Sequence, residues 1–168
     1  MAKKTESYQE AVDKLRLIVN EIENGNLDTA LKIFLELEKD DGFHTAASYY
    51  VADIMYLQGH YAEALRYAQP LSELTTGKAI EMSRIVADCH FMLGEYKQAL
   101  ASYKRVADLS HGKLLRADYY HIGLAYTHLE DYESAATNLS KVTSEDDAMA
   151  QNAYYNLAAC CIRLGDKR

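Results

Sequence analysis

The stretch "IVADCHFMLGEYKQALASY", residues 85–103, decides the fold. Gly94 sits at its centre, between two runs of helical character. Ala87 lies seven positions before this glycine, Tyr96 two after and Ala99 five after. The same arrangement recurs along the chain as "LIVNEIENGNLDTALKIF" (17–34), "YVADIMYLQGHYAEALRYA" (50–68), "IGLAYTHLEDYESAATNL" (122–139) and "NLAACCIRLGDKR" (156–168). The turn residue is Gly25, Gly59, Gly94, Glu130 or Gly165, at spacings of 34, 35, 36 and 35 residues. Self-similarity at such a fixed period is the signature of a repeat architecture.

The register assigns physical roles. Seven positions before each turn stand Ile18, Ala52, Ala87, Gly123 and Ala158. Small residues recurring there let two helix backbones approach closely. Five positions after the turn stand Ala30, Ala64, Ala99 and Ala135; two after it stand Leu27, Tyr61, Tyr96 and Tyr132. A second glycine series, Gly42, Gly77 and Gly112, falls between the units with a spacing of 35. Glycine directly after a helical run caps it in the left-handed conformation, where a Cβ is penalised. Apolar residues at i, i+3, i+4 and i+7 (Ser48, Val51, Ala52 and Met55; then Ala64, Leu65, Ala68 and Leu71) predict helices over 45–57 and 61–75, with no alternation of period two. Pro70 interrupts the second of these helices and predicts a kink near Gln69, because it removes one amide and crowds the carbonyl of Arg66.

These residues resemble the tetratricopeptide repeat family, whose unit is two antiparallel helices of about 34 residues with small, aromatic and alanine positions at fixed offsets. The resemblance covers residues 6–168. It implies an all-α fold: an α-solenoid of antiparallel helix pairs, with four units (about 11–44, 45–79, 80–115 and 116–150) and the first helix of a fifth (151–168), wound as a right-handed superhelix in one domain over 1–168. Departures are Leu27 for tyrosine, Glu130 for glycine, the absence of tryptophan, and the absence of the proline usual near the end of a unit. The segment "SYQEAVDKLRLIVNEIENGNLD" (7–28) is also similar to the first helix of the exonuclease VII small subunit family, but nothing downstream continues that likeness.

In the repeat family the first helix of each unit lines a concave groove. Counting back from each turn, the positions ten, nine, six and three before it share one helical face. They hold Tyr49, Tyr50, Asp53 and Tyr56 in the second unit, Arg84 and Asp88 in the third, Tyr120 and His121 in the fourth, and Tyr155 and Asn156 in the fifth. Tyrosines offer large contact area at low entropic cost and dominate interaction hot spots. Arg84 is expected to pair with Asp53 or Asp88. The basic clamp with which some family members hold a C-terminal carboxylate is largely absent: Leu15, Val19, Tyr50, Glu81 and Ile85 or their equivalents stand in its place. The resemblance therefore implies a non-catalytic scaffold that binds a protein partner as an extended peptide or a helix, with aliphatic anchors and some basic residues. Two alternatives are a cytoplasmic chaperone for secreted substrates, of the type III secretion class, and a self-assembly domain.

Composition narrows the function classes. The net charge is −7, from 25 acidic and 18 basic residues, and no segment concentrates the basic ones. Such a chain is a poor match for nucleic acid or an anionic membrane surface. No window approaches the roughly 18 apolar residues of a membrane span, and no apolar run follows Lys3 and Lys4, so a cytoplasmic location is expected. Three cysteines, Cys89, Cys160 and Cys161, form no metal-binding spacing and are expected as small buried residues. The six histidines include no H-E-x-x-H pair, and "TTGK" and "SHGK" lack the other residues of a phosphate loop. No cofactor, metal or catalytic residue is expected. In the final segment, Leu157, Cys161 and Leu164 form an apolar seam of the kind that meets a second helix. It is expected to be covered by further repeats of a longer chain or by a second copy, giving a homodimer through the last helix.

Overall fold

The computed structural model describes residues 2–37, 44–74, 77–144 and 147–166. These form an all-α fold with no strand among them. In chain order the helices are α1 (Ala2–Glu23), α2 (Leu27–Leu37), α3 (His44–Leu57), α4 (Tyr61–Ser72), α5 (Ala79–Met92), α6 (Tyr96–Leu109), α7 (Arg116–His128), α8 (Tyr132–Leu139) and α9 (Ala148–Asp166). The chain divides into two compact units, Met1–Leu71 and Ser72–Arg168.

Each of α1, α3, α5 and α7 stops in the same way. Gly25, Gly59 and Gly94 adopt φ of +77°, +80° and +77°, and Glu130 takes φ +61° at the equivalent position. The amide of the next residue then reaches five residues back: Asn26 to the Glu21 carbonyl, His60 to Met55 and Glu95 to His90, each at 2.8 Å, and Asp131 to Tyr126 at 3.0 Å. This is the Schellman closure, which satisfies carbonyls that a helix end otherwise leaves bare. The geometry is imposed by the backbone, so it persists at Glu130 where the glycine is lost. α6 closes similarly, with His111 at φ +53° and Gly112 at +79°.

The other expected glycine caps divide. Gly112 is left-handed as expected, Gly77 is not, and Gly42 lies outside the described residues. Gly165 does not form a turn; it sits inside α9, which continues to Asp166. α4 stops at Ser72, two residues beyond Pro70 and short of the expected 75. Proline donates no amide to Arg66, so this helix end is already weakened.

In the first unit, Ile18, Ala30, Phe34, Leu37, Ala47, Val51 and Ile54 make the core, with Tyr67 of α4 packed against it. In the second, Ala87, Ala99, Tyr103 and Ile122 form one cluster, and Ala135, Leu139, Val142, Ala153 and Cys160 another. The recurring alanines Ala30, Ala64, Ala99 and Ala135 are all fully buried. So are Ile18, Ala52, Ala87 and Gly123, seven positions before their turns. At Gly123 the approach leaves no room for a side chain: a Cβ would lie 2.7 Å from Leu139 Cγ.

Polar ties join neighbouring repeats. Arg84 of α5 grips Asp118 of α7 through two parallel bonds, Nε to Oδ1 at 2.8 Å and Nη2 to Oδ2 at 3.0 Å. Asp118 is 1% exposed, and its Oδ2 also accepts the Leu115 amide at 2.8 Å, capping the start of α7. The expected partner of Arg84 is Asp53 or Asp88; the partner that holds it in two bonds is Asp118, a buried, pre-oriented carboxylate that the register does not single out. At the start of α9, Asp147 accepts the Ala150 amide and an Arg116 guanidinium N–H, and these bonds hold its carboxyl below the usual range.

Two stability outcomes follow from this packing. Gly123→Ala forces Leu139 from its site and is expected to destabilise the protein by about 1–3 kcal/mol. Pairing it with Leu139→Ala in a double-mutant cycle should show strong non-additivity in denaturant melts; simple additivity would place the strain elsewhere. Asp118→Ala strands a partly buried guanidinium and removes a helix cap, for an expected loss of about 3 kcal/mol in urea titration.

Candidate functional site

The first-helix face predicted to line a groove is built differently in the two units. In the first unit, Tyr49 is buried, whereas Tyr50 is 42% exposed and stacks on Phe34 with ring centres 4.7 Å apart and planes 10° apart. Asp53 is exposed, and Tyr56 is half-buried with its ring 6.0 Å from that of Tyr61. Tyr50 and Asp53 are thus the residues of this set that α3 presents outward. Tyr49 is a packing residue.

In the second unit most of the predicted face is engaged internally. Arg84 is held by Asp118, as described. Asp88 Oδ1 accepts the Tyr103 hydroxyl and lies 3.0 Å from His121 Nδ1. The His121 ring stacks on Phe91, with centres 5.0 Å apart and planes inclined by 21°. Tyr103 is almost fully buried and Asp88 and His121 only partly exposed, so the three fasten α5, α6 and α7 together. Sequence reasoning placed Asp88 and His121 on the face but missed Tyr103 and Asp118. Asp118 carried a local signal, an acid three residues into a helix, which is where a capping box places one. Tyr103 carried none, because its partners belong to other helices.

Further along, Tyr120 is half-buried beside His121, with ring centres 6.0 Å apart. Tyr96 and His128 stack almost coplanar at 4.2 Å. On α9, Tyr155 is 78% exposed and Ile162 65%, while Asn156 is half-buried, its Nδ2 donating to the Asn152 carbonyl at 2.8 Å. Ala158 is exposed, although the four residues at its register position in other repeats are buried.

The cysteines divide as well. Cys89 and Cys160 are buried, and desolvation, helped by Asp88, pushes the Cys89 thiol up to about 12. It is inert at neutral pH. Cys161 is exposed rather than buried, because it shares the open side of α9 with Ala158. Among the described residues no group of three or more His, Cys, Asp or Glu side chains is placed to hold a metal ion, and no helix is long and apolar enough to cross a membrane.

The sequence profile of the tetratricopeptide repeat matches residues 15–71 and 58–112. Solved structures share the fold. A crystal structure of MamA protein superimposes with a TM-score of 0.76 at 18% identity, over 92% of this chain and 82% of that one. MamA residues 41 to the end from Desulfovibrio magneticus RS-1 give 0.70 at 16% identity, over 93% and 96%. A tetratricopeptide repeat protein from Parabacteroides merdae ATCC 43184 gives 0.71 at 21% identity, over 91% of this chain and 60% of that one. No curated protein sequence matches the chain. Two overlapping profile matches across 15–112, on a run of helix pairs closed by one recurring turn, show that the chain belongs to the tetratricopeptide repeat family.

Proposed function

We propose that the protein is a non-catalytic scaffold that binds a protein partner, as a helix or an extended peptide, along the outward faces of its first helices. Proteins with this repeat commonly mediate protein–protein interaction. The observation that carries the reading is the set of side chains exposed on the first helices: Tyr50 and Asp53 on α3, and Tyr155 and Ile162 on α9. Aromatic and aliphatic area with a flanking carboxylate suits a partner with apolar anchors and some basic residues. Arg84, Asp88 and His121 support the face from behind, and Tyr56, Tyr120 and Asn156 contribute its half-buried edges. One repeat array over 1–168, acting in the cytoplasm where its buried thiols stay reduced, belongs to this reading. Nucleic acid and membrane surfaces are poor partners for a chain of net charge −7. A chaperone for secreted substrates is a narrower form of the same activity.

A second reading has its own observation. Ala158 and Cys161 are exposed at positions where other first helices meet a second helix. A homodimer through α9 would cover them.

The two readings separate experimentally. Tyr50→Ala and Tyr155→Ala should each reduce recovery of a partner from the native cell at least tenfold, with thermal melting unchanged. Tyr49→Ala should instead lower the melting temperature. Undiminished recovery with both exposed tyrosines removed would overturn groove binding. For the dimer, light scattering should give twice the chain mass for the native protein and the monomer mass for Ala158→Glu; a native monomer overturns it.

A further inference from the structure

A concave feature lies in the second unit, away from the first-helix face. It is a cleft of about 390 Å³ between α6 and α7. Leu100 and Ala101 of α6, Leu114 of the following loop and Ile122 of α7 give it an apolar lining. α6 runs for 14 residues, but its counterpart α8 runs for only 8 and stops at Leu139. Asn138, near that end, forms one wall, and its Nδ2 donates to the Ser134 carbonyl at 2.8 Å.

The polar groups of the cleft are few and chemically specific. Lys104 stands at the rim, exposed, and forms no ion pair among the described residues, although Asp108 lies one helical turn further on. Lys97 is exposed seven residues earlier on the same stripe of α6, so this edge is locally basic in an acidic protein. Tyr126 of α7 lines the cleft, and its hydroxyl has no hydrogen-bond partner among the described residues. A cleft with a mainly apolar lining and a few polar groups among its walls has the general form of a small-molecule site.

We propose that this cleft binds a small amphiphilic carboxylate. The apolar body lies between Leu100, Leu114 and Ile122, and the head group sits on the Lys104 ammonium and the Tyr126 hydroxyl. The sign of the head group follows from charge complementarity: the rim residue Lys104 is a cation with no ion pair among the described residues, and no described carboxylate lines the cleft. The site is independent of the first-helix face and does not rest on partner binding there.

Dodecanoate below its micellar concentration is the probe, titrated calorimetrically into the full chain. The expected result is a saturable isotherm with one site. Lys104→Glu should weaken it about tenfold or more, and Ala101→Trp, which fills the cleft from an exposed helix position, should abolish it. Circular dichroism should show both variants folded. Dodecylammonium, with the same tail and the opposite charge, should bind at least tenfold more weakly, and Tyr155→Ser/Ile162→Ser should leave dodecanoate binding unchanged. The proposal is overturned by an isotherm that does not saturate, by equal affinity in Lys104→Glu and Ala101→Trp, or by binding lost in the α9 double variant, which would locate the amphiphile on that exposed face instead.

Discussion

The contact on which everything else depends is the close approach of the two helices within a repeat. Ala30, Ala64, Ala99 and Ala135 have no exposed surface at all, and Gly123 leaves no room for a Cβ against Leu139. Dispersion falls off steeply with distance, so helices brought this near gain contact along their whole length. The approach also sets what the turn must do. The second helix has to start within a few residues and fold back against the first. The left-handed residue with its five-residue amide bond makes that reversal.

Much of this was legible in the sequence, since it depends on residues near one another in the chain. Glycine at a fixed offset, alanine five residues on and small residues seven before are local consequences of a helix hairpin. The face that each first helix presents was legible as a register but not as a surface. Tyr49 and Tyr50 are adjacent and chemically identical, yet one is buried and the other stacks outward on Phe34. Asp88 and His121 read as ligands for a partner because Tyr103, which joins them, arrives from a different helix. Gly165 continues α9 although it holds the register position of a turn, and glycine permits reversal without compelling it.

Departures from the repeat coincide with the features that give this chain individuality. α8 runs for 8 residues where α6 runs for 14, and Asn138 near its end walls the cleft between α6 and α7. Replacing glycine by Glu130 keeps the turn at the cost of a strained φ, which surrounding bonds hold in place. A consensus array would lack both.

The polar ties have a consequence for how such a chain changes over generations. Arg84 and Asp118 are 34 residues apart, Asp88 and His121 33, Arg116 and Asp147 31. Each spans about one repeat, and each includes a residue, Arg84, His121 or Arg116, that no other repeat carries at the same position. Arrays held only by interchangeable apolar contacts lengthen freely by duplication, because any unit stacks on any other. Here a unit inserted between Arg84 and Asp118 would part a buried charge from its partner. The second unit of this protein is therefore closed to growth at that seam: its repeats have become individual parts with assigned neighbours, and its length is hereditary in the strict sense that only changes outside the seam are cheap.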